Sequence, residues 1–79
     1  MKLTIISPEK VVYSGNAERV SVPGAMCPFE ILPGHAPIIS ILQKGKISFS
    51  GKDTNSNIEI SGGFVEVSNN EVVACIEPA

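Results

Sequence analysis

Tryptophan is absent and tyrosine occurs once, so the aromatic platforms on which sugar rings stack have almost nothing to be built from. A single histidine, His35, excludes a histidine-based metal cluster and leaves a catalytic triad only one ring for its base. Cysteine occurs twice, at Cys27 and Cys75, in neither a CxxC pair nor a secreted disulfide framework, and both thiols are expected to be reduced. No charge of one sign dominates: six Lys and Arg against eight Asp and Glu give a net charge of -2. With no surplus of cations to neutralise phosphates, nucleic acid is excluded as a partner. Long hydrophobic runs are lacking as well. Pro37 to Leu42 falls far short of the ~20 residues that span a bilayer, and Met1-Lys2-Leu3-Thr4 opens no signal-peptide apolar region. The chain reads as soluble and intracellular. Its glycines form neither GxGxxG nor a Walker loop, and no helix follows them to offer amides to a phosphate, so no cofactor and no metal is expected.

What is present is enough apolar material for a core. Hydrophobic residues make up 43% of the 79 and charged residues 18%, which is too little charge for disorder and enough burial for one domain over residues 1–79. Apolar residues recur with period two between turn clusters, and no i, i+3, i+4 pattern persists, so the fold class is all-β. Leu3 to Ile6 is a first strand, closed by Ser7-Pro8-Glu9-Lys10; Val11 to Tyr13 follows, up to a turn cluster at Ser14-Gly15-Asn16. Arg19 and Ser21 share one face of the next strand, Val20 and Val22 the other. Pro23-Gly24 breaks it, and Ala25 to Leu32 carries Phe29 and Ile31 on one face. In Pro33-Gly34-His35-Ala36-Pro37, two prolines fix φ and Gly34 is free to take the positive φ of a type II turn. Ile38 to Leu42 reads as a buried strand, Gln43 to Gly45 as a hairpin turn, Ile47 and Phe49 as an inward face, and Gly51 to Asn57 as a polar, mobile run. Ile58 and Ile60 lead to Gly62-Gly63. Phe64 to Val67 then alternates as far as Ser68-Asn69-Asn70, a turn whose asparagines tolerate left-handed φ; Val72, Ala74 and Ile76 share one face of the last strand. Roughly nine short strands at this spacing suit a small β-sandwich or flattened barrel.

Chemistry is sparse. A thiol-dependent enzyme would pair Cys27 as nucleophile with His35 as base, but Met26, Pro28 and Phe29 around the thiol supply neither a cation nor a helix start to activate it. The glutamates fall at polar positions of alternating strands or in turns, as solvated charges do. The rigid loop Pro33 to Pro37, with Ile38 behind it, is either a tight corner between strands or a contact surface.

Five segments decide between these. Leu3-Thr4-Ile5-Ile6-Ser7-Pro8-Glu9, Val11-Val12-Tyr13-Ser14-Gly15, Val20-Ser21-Val22-Pro23-Gly24, Ile31-Leu32-Pro33-Gly34-His35-Ala36-Pro37 and Ser61-Gly62-Gly63-Phe64-Val65-Glu66-Val67 together resemble the N-terminal domain of the F-type ATP synthase epsilon subunit in order and spacing. The resemblance covers nearly the whole chain. It implies a β-sandwich of about ten strands at the foot of the central stalk, a non-catalytic rotor part that links the gamma subunit to the c-ring and supports coupling of ion flow to ATP synthesis. It also implies a place on the cytoplasmic face of the inner membrane, touching lipid only through the complex. By position, Ser7, His35, Ala36, Pro37, Ile38 and Ser40 correspond to the gamma-facing side, and Ala25, Met26, Cys27 and Pro28 to the loop that faces the c-ring. One departure lies in that loop: Cys27-Pro28-Phe29-Glu30 stands where relatives carry glycine, a polar residue and Phe-Gly. The other is the end at Glu77-Pro78-Ala79, where most relatives continue into a helical hairpin that inhibits ATP hydrolysis; a natural chain of 79 residues is expected to lack that inhibition.

Overall fold

The computed structural model describes residues 1–79, which form eight β-strands and no helix. They are β1 (Lys2–Ile6), β2 (Val11–Asn16), β3 (Arg19–Val22), β4 (Phe29–Ile31), β5 (Ile38–Leu42), β6 (Gly45–Ser50), β7 (Asn55–Ser68) and β8 (Glu71–Pro78). Hydrogen bonding runs β2-β1-β8-β7-β6-β3-β4, with β5 on β7 outside that path. All pairs are antiparallel except β1 with β8, which lie parallel from Lys2 beside Glu71 to Ile6 beside Cys75.

β7, at 14 residues, is long enough to serve two layers, and its sequence supplies the crease that lets it do so. Its first half pairs with β6, Asn55 opposite Ser50 and Ile60 opposite Gly45. Its second half pairs with β5 on one edge and β8 on the other. Between the halves the register against β8 slips from Ile60–Pro78 to Gly62–Glu77, leaving Ser61 as the extra residue of a bulge. The Ser61 hydroxyl lies 3.2 Å from both the Glu77 and the Pro78 carbonyl oxygens and donates to them, holding the end of β8 across the slip. Gly63 follows at φ 144, a conformation that side chains with a Cβ rarely adopt. One layer is therefore β4, β3, β6 and the first half of β7; the other is the second half of β7 with β5, β8, β1 and β2. On the far side the layers meet where Tyr13 of β2 packs on Phe49 of β6, ring centroids 4.5 Å apart.

Period-two alternation fills the space between. Leu3, Ile5, Val20, Val22, Ile31, Ile47, Ile60, Val65 and Val72 are all fully buried, within a core cluster of 15 apolar residues. Each such side chain contributes roughly 1.5–3 kcal/mol relative to leaving it in water. The faces assigned from sequence to residues 19–22, to Ile47 and Phe49, and to Val72, Ala74 and Ile76 are the faces observed. So are two of the turns: Asn69 and Asn70 have φ 51 and 61, and Gly34 has φ 83.

Several details differ from the sequence expectation, among them Ala25 to Pro28, which form a loop ahead of β4 where a strand over Ala25 to Leu32 is expected. The strands number eight because Ile58–Ile60 and Phe64–Val67 are one creased strand, and the helpful-looking break at Gly62-Gly63 bends the chain without ending it. Ser14-Gly15-Asn16 lies inside β2, opposite Thr4, Leu3 and Lys2. Asn55, Ser56 and Asn57 belong to β7, since polar side chains are free to face water from an outer position of a sheet. Gln43 to Gly45 is not a hairpin: Leu42 faces Gly63 and Gly45 faces Ile60, so β5 and β6 run in line along β7 in one register. The interruption is occupied by the segment after β3, where Gln43 N donates to Pro23 O and Ala25 N to Ile41 O. The hairpin turn falls at residues 51–54, closed by Gly51 N on Thr54 O at 2.7 Å.

The two glycines of the crease are expected to differ. A Cβ on Gly63 would fall against the Cys75 carbonyl oxygen and 2.9 Å from Ile76 Cα, whereas one on Gly62 meets only Leu42 O at 3.8 Å. Gly63→Ala should cost at least about 2 kcal/mol, a fall in Tm of roughly 8 °C or more, while Gly62→Ala stays within about 1 kcal/mol of the parent in thermal melts.

Candidate partner-docking face

β5 is an edge strand whose two faces have different fates. Leu42 turns inward and is buried; Ser40 and Ile38 share its face, opposite the buried Val65 and Val67. Ile39 and Ile41 point the other way, 70% and 65% exposed. A continuous apolar run is the usual mark of a strand covered on both sides. Here only one side is covered, so the expectation of a buried strand holds for Leu42 and fails for Ile38, Ile39 and Ile41.

Cross-strand register extends this exposed face over the whole second layer. Ile41 lies opposite Phe64, Phe64 opposite Cys75, Cys75 opposite Ile6 and Ile6 opposite Val11. These five side chains make an apolar row across five strands, with Ile41, Phe64 and Val11 exposed and Cys75 and Ile6 half-buried. In the adjacent row Ile39, Glu66, Val73, Thr4 and Ser14 stand side by side, with Glu66 the one charge. Outward faces of antiparallel sheets are ordinarily polar, and a contiguous exposed apolar row makes this face the candidate interaction site. Sequence reasoning missed Ile39, Ile41, Phe64 and Val73. The available signal was the parity of residues 38–42: with Leu42 inward, the odd positions face out.

Of the residues matched to a gamma-facing side, Ser7 and the loop His35 to Pro37 lie at the borders of this face, whereas Ile38 and Ser40 are on the opposite face of β5. Pro33 and Gly34 form the middle of a type II turn, closed by His35 N on Leu32 O at 3.0 Å. His35 Nδ1–H donates to Ala36 O at 2.7 Å, since a carbonyl oxygen only accepts, and Nε2 is left directed away from that bond. Ala36, Pro37 and Ile38 are exposed. Ser7, just past Ile6, is 7% exposed, and its hydroxyl donates to Lys10 O at 3.2 Å while accepting from Lys10 N at 3.3 Å. Its polar group is thus used within its own turn. A groove of about 280 Å³ between Ser7, Phe64, Cys75 and Glu77 runs along the apolar row.

The other predicted surface, Ala25 to Pro28, is the loop between β3 and β4 and is exposed throughout, Met26 by 98%. Its base is fixed by the bridge between Gly24 and Leu42 and by the tight turn at Gly24, where a Cβ would press on the Cys27 carbonyl oxygen. The loop therefore sits at the C-terminal end of β5, and the His35 loop leads into the N-terminal end. Five residues of strand, roughly 17 Å, separate the two. Cys27 and His35 are not brought together, and the His35 ring is committed to Ala36, so the thiol–imidazole pair has no geometric basis. Both cysteines are free, no group of three His, Cys, Asp or Glu side chains converges, and no helix is long and apolar enough to cross a membrane. The largest surface concavity, about 540 Å³, lies by Pro23, Pro28 and Phe29 and offers only Glu30 and Lys46 as charged groups.

Comparison with known proteins gives a consistent result. A family model described as ATP synthase, Delta/Epsilon chain, beta-sandwich domain matches residues 1–79. The chain is 39% identical over 77 residues to an ATP synthase epsilon chain of Chlorobium limicola, covering 96% of this chain and 88% of that one. It is 39% identical over 72 residues to one of Leptospira borgpetersenii, covering 91% of this chain and 57% of that one. With the protein of Lawsonia intracellularis it is 39% identical over 79 residues, all of this chain and 59% of the relative. The chain thus spans from little over half to nearly nine tenths of these relatives. Among solved structures, a chain in the Tetrahymena thermophila mitochondrial ATP synthase central stalk and c-ring superposes with a TM-score of 0.82 at 16% identity, covering 96% of this chain and 62% of that one. One in the Euglena gracilis mitochondrial ATP synthase gives 0.86 at 18%, covering 94% and 48%. At these identities the likeness is one of fold.

The exposed row is expected to tolerate charge where the core does not. Ile41→Asp and Phe64→Asp should each leave the unfolding free energy from denaturant titration within about 0.5 kcal/mol of the parent and lower retention on a hydrophobic column, whereas Val65→Asp should unfold the chain.

Proposed function

The chain belongs to the delta/epsilon family of ATP synthase, whose β-sandwich domain its 79 residues span, and from that membership we propose that it is a non-catalytic epsilon-type component of the central stalk, joining the gamma subunit to the c-ring. The observation that carries this reading is the apolar row Ile41, Phe64, Cys75, Ile6 and Val11 on an outward sheet face. A flat apolar face backed by a packed two-layer core suits a part that transmits torque: association is driven by burial, and the close-packed core resists shear.

In this reading gamma covers the row together with Ser7 and the loop His35, Ala36, Pro37, with Ile38 and Ser40 at the margin of the contact. The loop Ala25, Met26, Cys27, Pro28, at the other end of β5, meets the c-ring. The stiff β5–β7 ladder between them ties one contact to the other. The chain then lies at the cytoplasmic face of the inner membrane as a peripheral part of the complex. It contributes position and rigidity, and the chemistry of ATP synthesis stays in the catalytic head.

Capture from source cells tests this. The wild-type chain as bait should recover gamma and, through it, the catalytic head; Ile41→Asp and His35→Ala variants with unchanged circular dichroism should recover at least tenfold less. Equal recovery by Ile41→Asp and the wild type would remove the apolar row from the interface, and recovery of neither subunit by the wild type would overturn the stalk assignment.

A further inference from the structure

The loop Pro33 to Pro37 has little to hold it. Pro33, Gly34, Ala36 and Pro37 are exposed and His35 is only half-buried, so burial does not fasten it. Two of its hydrogen bonds, His35 N to Leu32 O and His35 Nδ1–H to Ala36 O, are local and fix its shape without fixing its place. One bond reaches beyond it: Gly34 N–H donates to the Asn70 side-chain oxygen at 3.1 Å, across 36 residues of sequence.

Asn70 is suited to that task. It is the second residue of the two-residue turn between β7 and β8, at φ 61, where glycine is the residue of lowest backbone strain in such a turn. Asparagine tolerates that conformation and adds an amide that glycine lacks. The main-chain carbonyl oxygen of Asn70 meanwhile accepts from Lys2 N at 3.2 Å, anchoring the turn to the start of β1. One residue therefore connects the first strand, the last hairpin and the His35 loop.

We infer that Asn70 is a positioning residue that presets the His35 loop for its partner, which on the reading above is the gamma subunit. Binding orders whatever the free protein leaves loose, and a loop already tied in place spares that loss. The turn itself does not need the Asn70 side chain, so positioning and stability are separable.

Three variants test this: Asn70→Gly, which keeps the turn and deletes the amide; Asn70→Asp, which keeps an oxygen acceptor; and His35→Ala, which reports on the loop contact itself. Two quantities are read, amide exchange at Gly34 by NMR in the free chain and affinity for the source cell's ATP synthase depleted of this subunit. Asn70→Gly should raise Gly34 exchange about tenfold and weaken binding about three- to tenfold at an unchanged or higher Tm, the span expected for one net hydrogen bond. Asn70→Asp should restore both. Unchanged Gly34 exchange in Asn70→Gly would show that the bond does not hold the loop and overturn the inference. Faster exchange with unchanged affinity, while His35→Ala still binds weakly, would overturn presetting and leave the docking reading intact. Unchanged affinity in His35→Ala as well would overturn both.

Discussion

The crease in β7 governs the rest of the molecule. A strand that must belong to two layers has to bend without losing its ladder, and residues 61–63 allow this by adding one residue and removing one side chain. Ser61 takes up the register slip and holds the Glu77 and Pro78 carbonyls. Gly63 lets the backbone pass against Cys75 and Ile76 where no other residue fits. Everything on the two sides of the bend inherits its place from it. β6 and β3 follow the first half of β7 into one layer, β5 and β8 follow the second half into the other, and the core forms where the alternating apolar faces of both come to look at each other.

That arrangement also produces the exposed apolar face. Bending β7 aims Val65 and Val67 inward, so Phe64 and Glu66 must point out, and register does the same to Ile39 and Ile41 on β5 and to Val73 and Cys75 on β8. The sheet is therefore apolar on both sides over much of its area. One side is covered by the other layer, and the second is exposed. The exposed ion pairs, Arg19–Glu30 and Lys46–Glu59, each at 4.0 Å, lie in the opposite layer and add little stability. The two ion pairs and the apolar row thus lie in different layers.

Much of this was legible from residue order alone. Alternation located nearly every strand and its inward face, and turn chemistry identified Gly34 and the Asn69-Asn70 pair, because φ preference is a local property. The fold class and the family followed from segments such as Leu32 to Pro37 and Ser61 to Val67. What escaped is non-local. Gly62-Gly63 looks like a break when neighbours are unknown, since a crease and a turn use the same residues. Ile38 to Leu42 looks buried, since a run of apolar residues does not say whether its second face meets the same chain or another. The hydrogen bond from Gly34 to Asn70 joins two turns that no pattern in either one connects.

The parallel pairing of β1 with β8 carries a consequence for how the protein is made. The first strand needs the last as its neighbour, Leu3 beside Val72 and Ile5 beside Ala74, so the second layer stays unfinished until residues 71–78 have left the ribosome. Until then β1 and β2 are an isolated two-stranded ribbon, a form that is marginal in water, with Leu3 and Ile5 uncovered. The second layer thus cannot close before β8 is available, and a chain cut short before residue 71 exposes the same apolar side chains that the folded domain hides best.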